Sequence, residues 1–532
     1  MPKIIIRSFV TALVVLAAVC AAPAQQKAGR PNFVIVLADD LGFSDLGCYG
    51  GEIKTPNLDR LAAEGLRFTQ FYNTGRCWPT RAAILTGHYP QQIRMDPAKK
   101  PWPEWARILP HYLEPAGYRC YHSGKWHLHT APKVIADGGF HRAYLTLDHN
   151  RNFSPQRAEL DDQVLPPVPL GSGHYSTTAI AEHAIDFLKQ HAEQHADKPF
   201  LLYLAYIVPH FPLHALQEDI DRYRHTYLEG WDVIRERRYQ RLRQAGFTNS
   251  SLPRLEPETV PSWNFAGEVL RERIGPGEAP LALPWYRLTE EQKQFQALKM
   301  AIHAAMIDRM DQETGRVLEQ IRRMGADDNT VVIFLSDNGA SAEQIIRGDE
   351  HDKAAPPGSA MSYLCLGPGW SSASNTPFRR HKHWTHEGGI ATPLIVRWKN
   401  GIAARGELRH TVGHVIDFVP TILDLAGITP AVEWKGHRPP PLPGISLAPA
   451  FARDVQIERP YLFFSHQGNY ALRAGDWKLV QAAQEKRWEL YDLSADRAES
   501  RDLALAQPER VREMERMWAA AVAEFNRQAG LD

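Results

Sequence analysis

An α/β fold is what this sequence of 532 residues predicts: a large, mostly parallel (mixed) sheet sandwiched by helices, then a smaller α+β unit with an antiparallel sheet. Three observations carry the prediction. Continuous apolar runs rich in β-branched residues, at 33–38, 200–208, 331–335 and 394–398, have the character of strands buried on both faces. Helical stretches lie between them, at 58–64, 177–190 and about 290–324, and such alternation argues for parallel strands with helices on both sides. Polar residues follow directly on three of the runs: Asp39-Asp40, His210 and Asp337-Asn338. In open α/β sheets, ligands sit at those carboxyl ends.

Taken in order, the run at 33–38 is followed by the first helical stretch and by a short β-rich segment, 66–72. Cys77-Trp78-Pro79-Thr80-Arg81 comes next, and the pattern turns helical. Pro79 fits an early helical position, where a missing N–H costs nothing. Cys77 then stands at or just before a helix N-terminus, whose free N–H groups and dipole favour an anion. Arg81 adds a fixed positive charge. Alone, the pentapeptide also suits a buried Cys ahead of an ordinary helix.

The alternation breaks over about 214–284, which reads as an inserted subdomain that covers the site, makes subunit contacts or serves as scaffold. Another irregular stretch, 339–375, is rich in Gly, Ser and Pro and is expected to line the substrate entrance. Residues 414–426 read as one more helix, and a Pro-rich connection at 439–443 follows. Short strands at 461–464, 470–473, 478–481 and 488–491 have hairpin spacing, with a terminal helix at about 508–527. These divisions give a catalytic unit over 31–450 and a small C-terminal unit over 451–532.

Composition narrows the function. Lys plus Arg and Asp plus Glu number 61 each, so no global field draws in nucleic acid or an anionic membrane, and any attraction for an anionic substrate is local. The apolar fraction of 44% is that of a globular protein. Residues 1–24 read as a signal peptide: Lys3 and Arg7 first, an apolar centre at 9–20, then Ala22-Pro23-Ala24 as cleavage site. The expectation is an exported protein, periplasmic or secreted, without a membrane span.

Four segments occur together in order: Asn32-Phe-Val-Ile-Val-Leu-Ala-Asp39-Asp40-Leu-Gly, the Cys77 pentapeptide, Gly124-Lys125-Trp126-His127, and Ser336-Asp337-Asn338-Gly339. This set resembles the sulfatases of the alkaline-phosphatase-like superfamily. Tyr227-Leu-Glu-Gly-Trp-Asp and the run from Asn375-Thr-Pro through Lys382-His-Trp-Thr-His-Glu-Gly-Gly look like the bacterial arylsulfatase branch. The resemblance implies that Cys77 is converted to formylglycine by a formylglycine-generating or anaerobic sulfatase-maturing enzyme. Cys48, Cys120 and Cys365 then remain beyond the signal segment, too few for a disulfide scaffold.

Asp39, Asp40, Asp337 and Asn338 offer hard oxygen donors, which favour Ca²⁺ or Mg²⁺ over a transition metal. The resemblance points to one Ca²⁺, with residue 77 also touching it. The implied chemistry is covalent catalysis. One hydroxyl of the hydrated aldehyde attacks sulfur while the metal holds its twin. Asp337 takes the attacking hydroxyl's proton, and His210, supported by Lys382, protonates the leaving oxygen. His127 takes the last proton as sulfate departs. Lys125, Lys382 and Arg81 neutralise the sulfate oxygens. Lys125 and His127, two apart, share a face if the segment is extended. His88, His383 and His386 read as structural or surface residues, and Asp308 and Asp311 as caps or partners of arginines. Aromatic residues around Phe140, His141 and Tyr363 are candidates to stack on a sugar or an arene. The expected substrate is a small-molecule or saccharide sulfate ester. The alternatives are a phosphomonoester or phosphonate hydrolase with the same centre, or a non-catalytic sulfate-binding homologue.

Overall fold

The computed structural model describes residues 29–96, 100–128, 133–348 and 351–531, so the signal segment at 1–24 lies outside the described residues. Among these, a ten-stranded sheet forms the centre. From edge to edge its strands are Glu407–Arg409, Leu66–Phe68, Leu394–Arg397, Thr330–Ser336, Asn32–Asp39, Phe200–Pro209, Arg119–Lys125, Arg142–Thr146, Ala158–Leu160 and Gln163–Val164. The five from Thr330–Ser336 to Arg142–Thr146 run parallel. Leu394–Arg397 runs antiparallel to Thr330–Ser336, and the sheet is mixed there.

The apolar runs lie where their composition puts them. Every residue of Phe200–Pro209 and Thr330–Ser336 is buried, as both faces are covered. Helices Pro56–Ala63, Ser176–Gln194 and Glu290–Arg323 supply much of one cover. Asp311 in the long helix caps Pro56–Ala63: its carboxylate accepts the backbone N–H of Asn57 at 3.1 Å and of Leu58 at 2.8 Å, satisfying donors at a helix start. Asp308 accepts from Arg222 and Tyr223.

One expectation changes. The stretch at 414–426 is helical only from Phe418; a short bridge strand and a 3₁₀ turn, held by His414 and Asp417, precede it. The region at 214–284 packs against the body, in keeping with the scaffold reading. Trp231 lies against Trp285 and Trp370, and the fully buried Arg238 pairs with Asp45 at 2.7 Å and Glu52 at 2.7 Å.

A separate antiparallel sheet, Leu462–His466, Asn469–Ala474, Trp477–Gln481 and Trp488–Asp492, packs under the helix Pro508–Ala529. Buried charges tie it to the main body. Lys478 reaches Glu387 at 2.9 Å, and Arg497 reaches the same carboxylate at 3.2 Å. Cys48, Cys77, Cys120 and Cys365 are free thiols. No helix among the described residues is long and apolar enough to cross a membrane.

Candidate active site

Register brings the polar strand ends together. Ala38 pairs with Ser336, so Asp39 and Asp337 leave neighbouring strands at one level. On the other side the pairing slips between Leu37 and Asp39, a bulge that brings Pro209 opposite Asp39 and delivers His210 to the same rim. Asp40 turns out of its strand with φ 67°, a left-handed conformation that Asp tolerates better than most residues. Its N–H donates to Asp337 Oδ1 at 3.4 Å, and Asn338 Nδ2 donates to Asp40 Oδ1 at 2.6 Å. Lys125 comes from Arg119–Lys125, where Gly124 has φ 118° and a Cβ would sit 1.9 Å from the Ala205 carbonyl oxygen. Only glycine fits that approach.

Residue 77 is the first of the helix Cys77–Thr86, with every residue of that helix buried. Pro79 is the third position, among the N–H groups that lack an intrahelical partner anyway. Thr80 fixes the preceding loop: its hydroxyl accepts the Thr74 N–H at 3.1 Å and meets the Thr74 hydroxyl at 2.8 Å. Arg81 donates from Nε at 3.0 Å and Nη2 at 2.7 Å to Asp337 Oδ2, and from Nη1 at 2.9 Å to the Lys125 carbonyl. Lys125 Nζ lies 2.5 Å from Asp39 Oδ2, and Lys382 Nζ lies 2.8 Å from Asp40 Oδ1.

A second tier closes the network. Glu343 stands 3.4 Å from Lys382 Nζ and 3.5 Å from Arg76, and it accepts the Trp263 indole N–H at 3.0 Å. Four carboxylates (Asp39, Asp40, Asp337, Glu343) thus face four cations (Arg76, Arg81, Lys125, Lys382). Burial would raise Asp39, but Lys125, Arg81 and Lys382 hold it below its usual value. Burial, with the neighbouring Asp39, pushes Asp40 and Asp337 up. Lys382 is pushed up by Asp40 and Glu343 despite burial, and stays charged. Burial, then Lys382 and Lys125, press His210 well below 6.5 and keep its imidazole neutral. Burial also raises the Cys77 thiol, only partly offset by Lys125 and Lys382.

The donor set fits a divalent cation. Asp39 Oδ1 and Asn338 Oδ1 are buried oxygens without a hydrogen-bond partner, a costly condition that a hard cation relieves. Ligand atoms of Asp39, Asp40 and His210 lie within 4.8 Å of one another. His210 Nε2 is 3.9 Å from Asp40 Oδ2.

Asp39, Asp40, Asp337, Asn338, Arg81, Lys125, Lys382 and His210 therefore converge, with Cys77 within the field of Lys125, Lys382, Asp337 and Asp39. His127 leaves the strand. The strand ends at Lys125 and His127 has φ 53°, so the shared face expected for the two is lost. Its ring lies 5.8 Å from Trp78 and 5.3 Å from His149. Phe140 and Tyr363 are 3% and 1% exposed: Phe140 packs on His122 and Trp126, and the Tyr363 ring lies 6.3 Å from that of Phe211. Of the three unassigned histidines, none is a surface residue. His88 bonds within its own turn, His386 meets Glu489 at 3.0 Å, and His383 lies 4.7 Å from Trp263 at the edge of the site. Glu343, His149, Trp263 and Arg347 were not singled out from sequence. Glu343 and Arg347 do fall in the irregular stretch expected to line the entrance.

A family model described as Sulfatase matches residues 31–428, and one described as N-sulphoglucosamine sulphohydrolase, C-terminal, matches 379–526. The chain is 31% identical to an uncharacterized sulfatase of Schizosaccharomyces pombe, over 94% of this chain and 95% of that one. It is 29% identical to an arylsulfatase of Klebsiella aerogenes, over 80% and 92% respectively. Among solved structures, the Ps i-CgsB complex with k-i-k-neocarrahexaose superposes with a TM-score of 0.65 at 22% identity, covering 93% of each chain, which is a likeness of fold.

Proposed function

The chain belongs to the sulfatase family, and on that premise we propose that it hydrolyses sulfate esters, with residue 77 as formylglycine and one divalent cation, Ca²⁺ in preference to Mg²⁺. The observation that carries the reading is the convergence of Asp39, Asp40, Asp337 and Asn338, two of whose oxygens are buried and unpartnered, around the start of the helix that bears residue 77. Asp39, Asp40, Asp337 and Asn338 would hold the cation, which supplies positive charge to the sulfate oxygens and to an oxygen at residue 77. A thiol raised by burial is a poor nucleophile, in keeping with a site that uses residue 77 in another chemical form.

The chain's own side chains then divide the work. Asp337, oriented by two bonds from Arg81, accepts a proton at its carboxylate. Lys125 and Arg81 sit where negative charge on a sulfate is offset without reorganisation. Lys382 carries the proton for the leaving oxygen. His210, neutral at rest, passes or shares that proton once an anionic substrate lies beside it. His127, on the rim beside Trp78, takes a proton as sulfate leaves. The match to the N-sulphoglucosamine sulphohydrolase C-terminal model supports a saccharide as the organic half, and the likeness to an arylsulfatase supports an aryl one.

The test compares aryl sulfate with aryl phosphate on purified protein co-produced with a maturation enzyme and loaded with Ca²⁺. Preferential release of sulfate is expected. Preferential phosphate release overturns the sulfatase reading in favour of a phosphoester hydrolase, and no release of either overturns it in favour of a binding protein. Export is read from residues 1–24 and is checked by sequencing the N-terminus of the mature protein.

A further inference from the structure

The inner charges balance, four against four, and one more cation stands beside them with no acidic partner among the described residues. Arg347 is half-buried, and its polar contacts are made by Nη1 alone: 3.4 Å to His149 Nε2 and 3.1 Å to Asn150 Oδ1. No carboxylate among the described residues pairs with it. Its guanidinium lies 5.2 Å from the centre of the Phe211 ring, which itself stacks on His210 at 4.2 Å. His149, against which Arg347 rests, has its ring 5.5 Å from that of His210 and 5.3 Å from that of His127. The cation is therefore one side chain from the reacting centre. It is held on an aromatic platform by two fixed acceptors, and its Nε and Nη2 edge, the fork that grips carboxylate and sulfate in two parallel bonds, meets no acceptor among the described residues.

Charge accounting says what such an edge is for. A divalent cation adds two positive charges to the balanced cluster. The single negative charge of a sulfate monoester offsets one of those two, and a proton passed from residue 77 to Asp337 leaves the total unchanged, so positive charge stays in excess with Arg347 at its outer edge. We propose that Arg347, on its platform of Phe211, Asn150 and His149, is a subsite for a second anionic group on the substrate. That group is a further sulfate or a carboxylate, so the preferred substrates are saccharide sulfates bearing two or more negative charges. The inference rests on the sulfate-ester reading of the centre and adds the substrate class. The neutral His149 fits it, because an uncharged imidazole accepts from Arg347 Nη1 and leaves the outer edge free.

The experiment uses matured, Ca²⁺-loaded protein and three probes: a methyl glycoside monosulfate, the same glycoside with a second sulfate, and the corresponding sulfated uronate. The parent protein is expected to favour one or both dianionic probes by about tenfold or more in kcat/KM, the range expected of a charged hydrogen-bonded contact. The favoured arm identifies sulfate or carboxylate as the group read. Arg347→Gln loses that preference, chiefly through KM, with a far smaller change on the monosulfate. Arg347→Lys, which keeps the charge without the fork, retains part of it. Raising the ionic strength shrinks the preference of the parent. Absence of preference in the parent, or an equal loss on all three probes in Arg347→Gln, overturns the proposal. Should no probe be hydrolysed, the sulfate-ester reading fails separately, and calorimetric binding of the disulfated glycoside to Cys77→Ala decides the subsite. Weaker binding in Cys77→Ala/Arg347→Gln sustains it, and equal binding overturns it.

Discussion

Arg81→Lys tests whether the network is held by charge or by shape. Arg81 is fully buried and makes three bonds that one planar group satisfies together: 3.0 and 2.7 Å to Asp337 Oδ2, and 2.9 Å to the Lys125 carbonyl. It also stands 3.6 Å from Asp39 Oδ2. A lysine keeps the positive charge, but its single nitrogen cannot serve Asp337 and the Lys125 carbonyl in this geometry. Two hydrogen bonds donated by the charged guanidinium are lost, about 3 kcal/mol together, or roughly a hundredfold if the loss falls on the transition state. Asp337 also loses its orientation, and the loosened support of a ligand lowers cation affinity by about ten- to a hundredfold. The assays are kcat/KM on an aryl sulfate at saturating Ca²⁺ and calorimetric titration of chelator-stripped protein, with circular dichroism to show an unchanged fold. Activity and affinity close to those of the parent would refute the claim that the shape of the Arg81 fork organises the site. Arg81→Leu goes further: it leaves the buried Asp337 without its cation and beside Asp39, costs about 3–5 kcal/mol, and is expected to fail to accumulate as folded protein.

Further expectations follow from the same network. Asp40→Asn removes a charged donor while leaving a side chain of the same shape beside Lys382 and Asn338; calorimetry should show Ca²⁺ affinity reduced by about a hundredfold or more, and unchanged affinity would move the cation elsewhere. Lys382→Met should lower kcat by roughly two to three orders of magnitude on a saccharide sulfate and by much less on an aryl sulfate with an acidic phenol, because a good leaving group needs no proton. Equal losses on both would assign Lys382 to binding. Burial holds His88 and His214 at about 4 and His122 at about 3, against an unfolded value near 6.5. Below pH 6.5 the unfolded chain takes up protons that these imidazoles refuse, so stability is lost progressively from about pH 6.5 to pH 4. Thermal unfolding scans should show Tm falling across that window, and a flat Tm would contradict it.

The parts of the molecule that were legible are those where burial fixes composition. A strand covered on both faces is apolar throughout, so Phe200–Pro209 and Thr330–Ser336 announced themselves, and the polar residues beyond them marked the rim where ligands sit. Asp311 was readable as a cap because a carboxylate inside an apolar helix needs donors, and the start of Pro56–Ala63 provides them. Glu343 gave no such sign. It lies in an irregular stretch whose path follows from contacts distant in sequence, with Trp263, Arg76 and Lys382 arriving from three different segments. The face shared by Lys125 and His127 was conditional on an extended segment, because alternation holds only while a strand continues, and here it stops at Lys125. Phe140 was offered as a stacking platform on the strength of its residue type, but packing among His122 and Trp126 turns it inward. The orientation of Leu394–Arg397 is likewise decided by its connection rather than its composition.

The most direct measurement is sulfate release per molecule as a function of the fraction of residue 77 converted to aldehyde, set by graded co-production of a maturation enzyme and read by peptide mass. Activity in strict proportion to that fraction, vanishing at zero conversion, is the expected outcome. Release that persists in protein carrying only the Cys77 thiol would contradict the account.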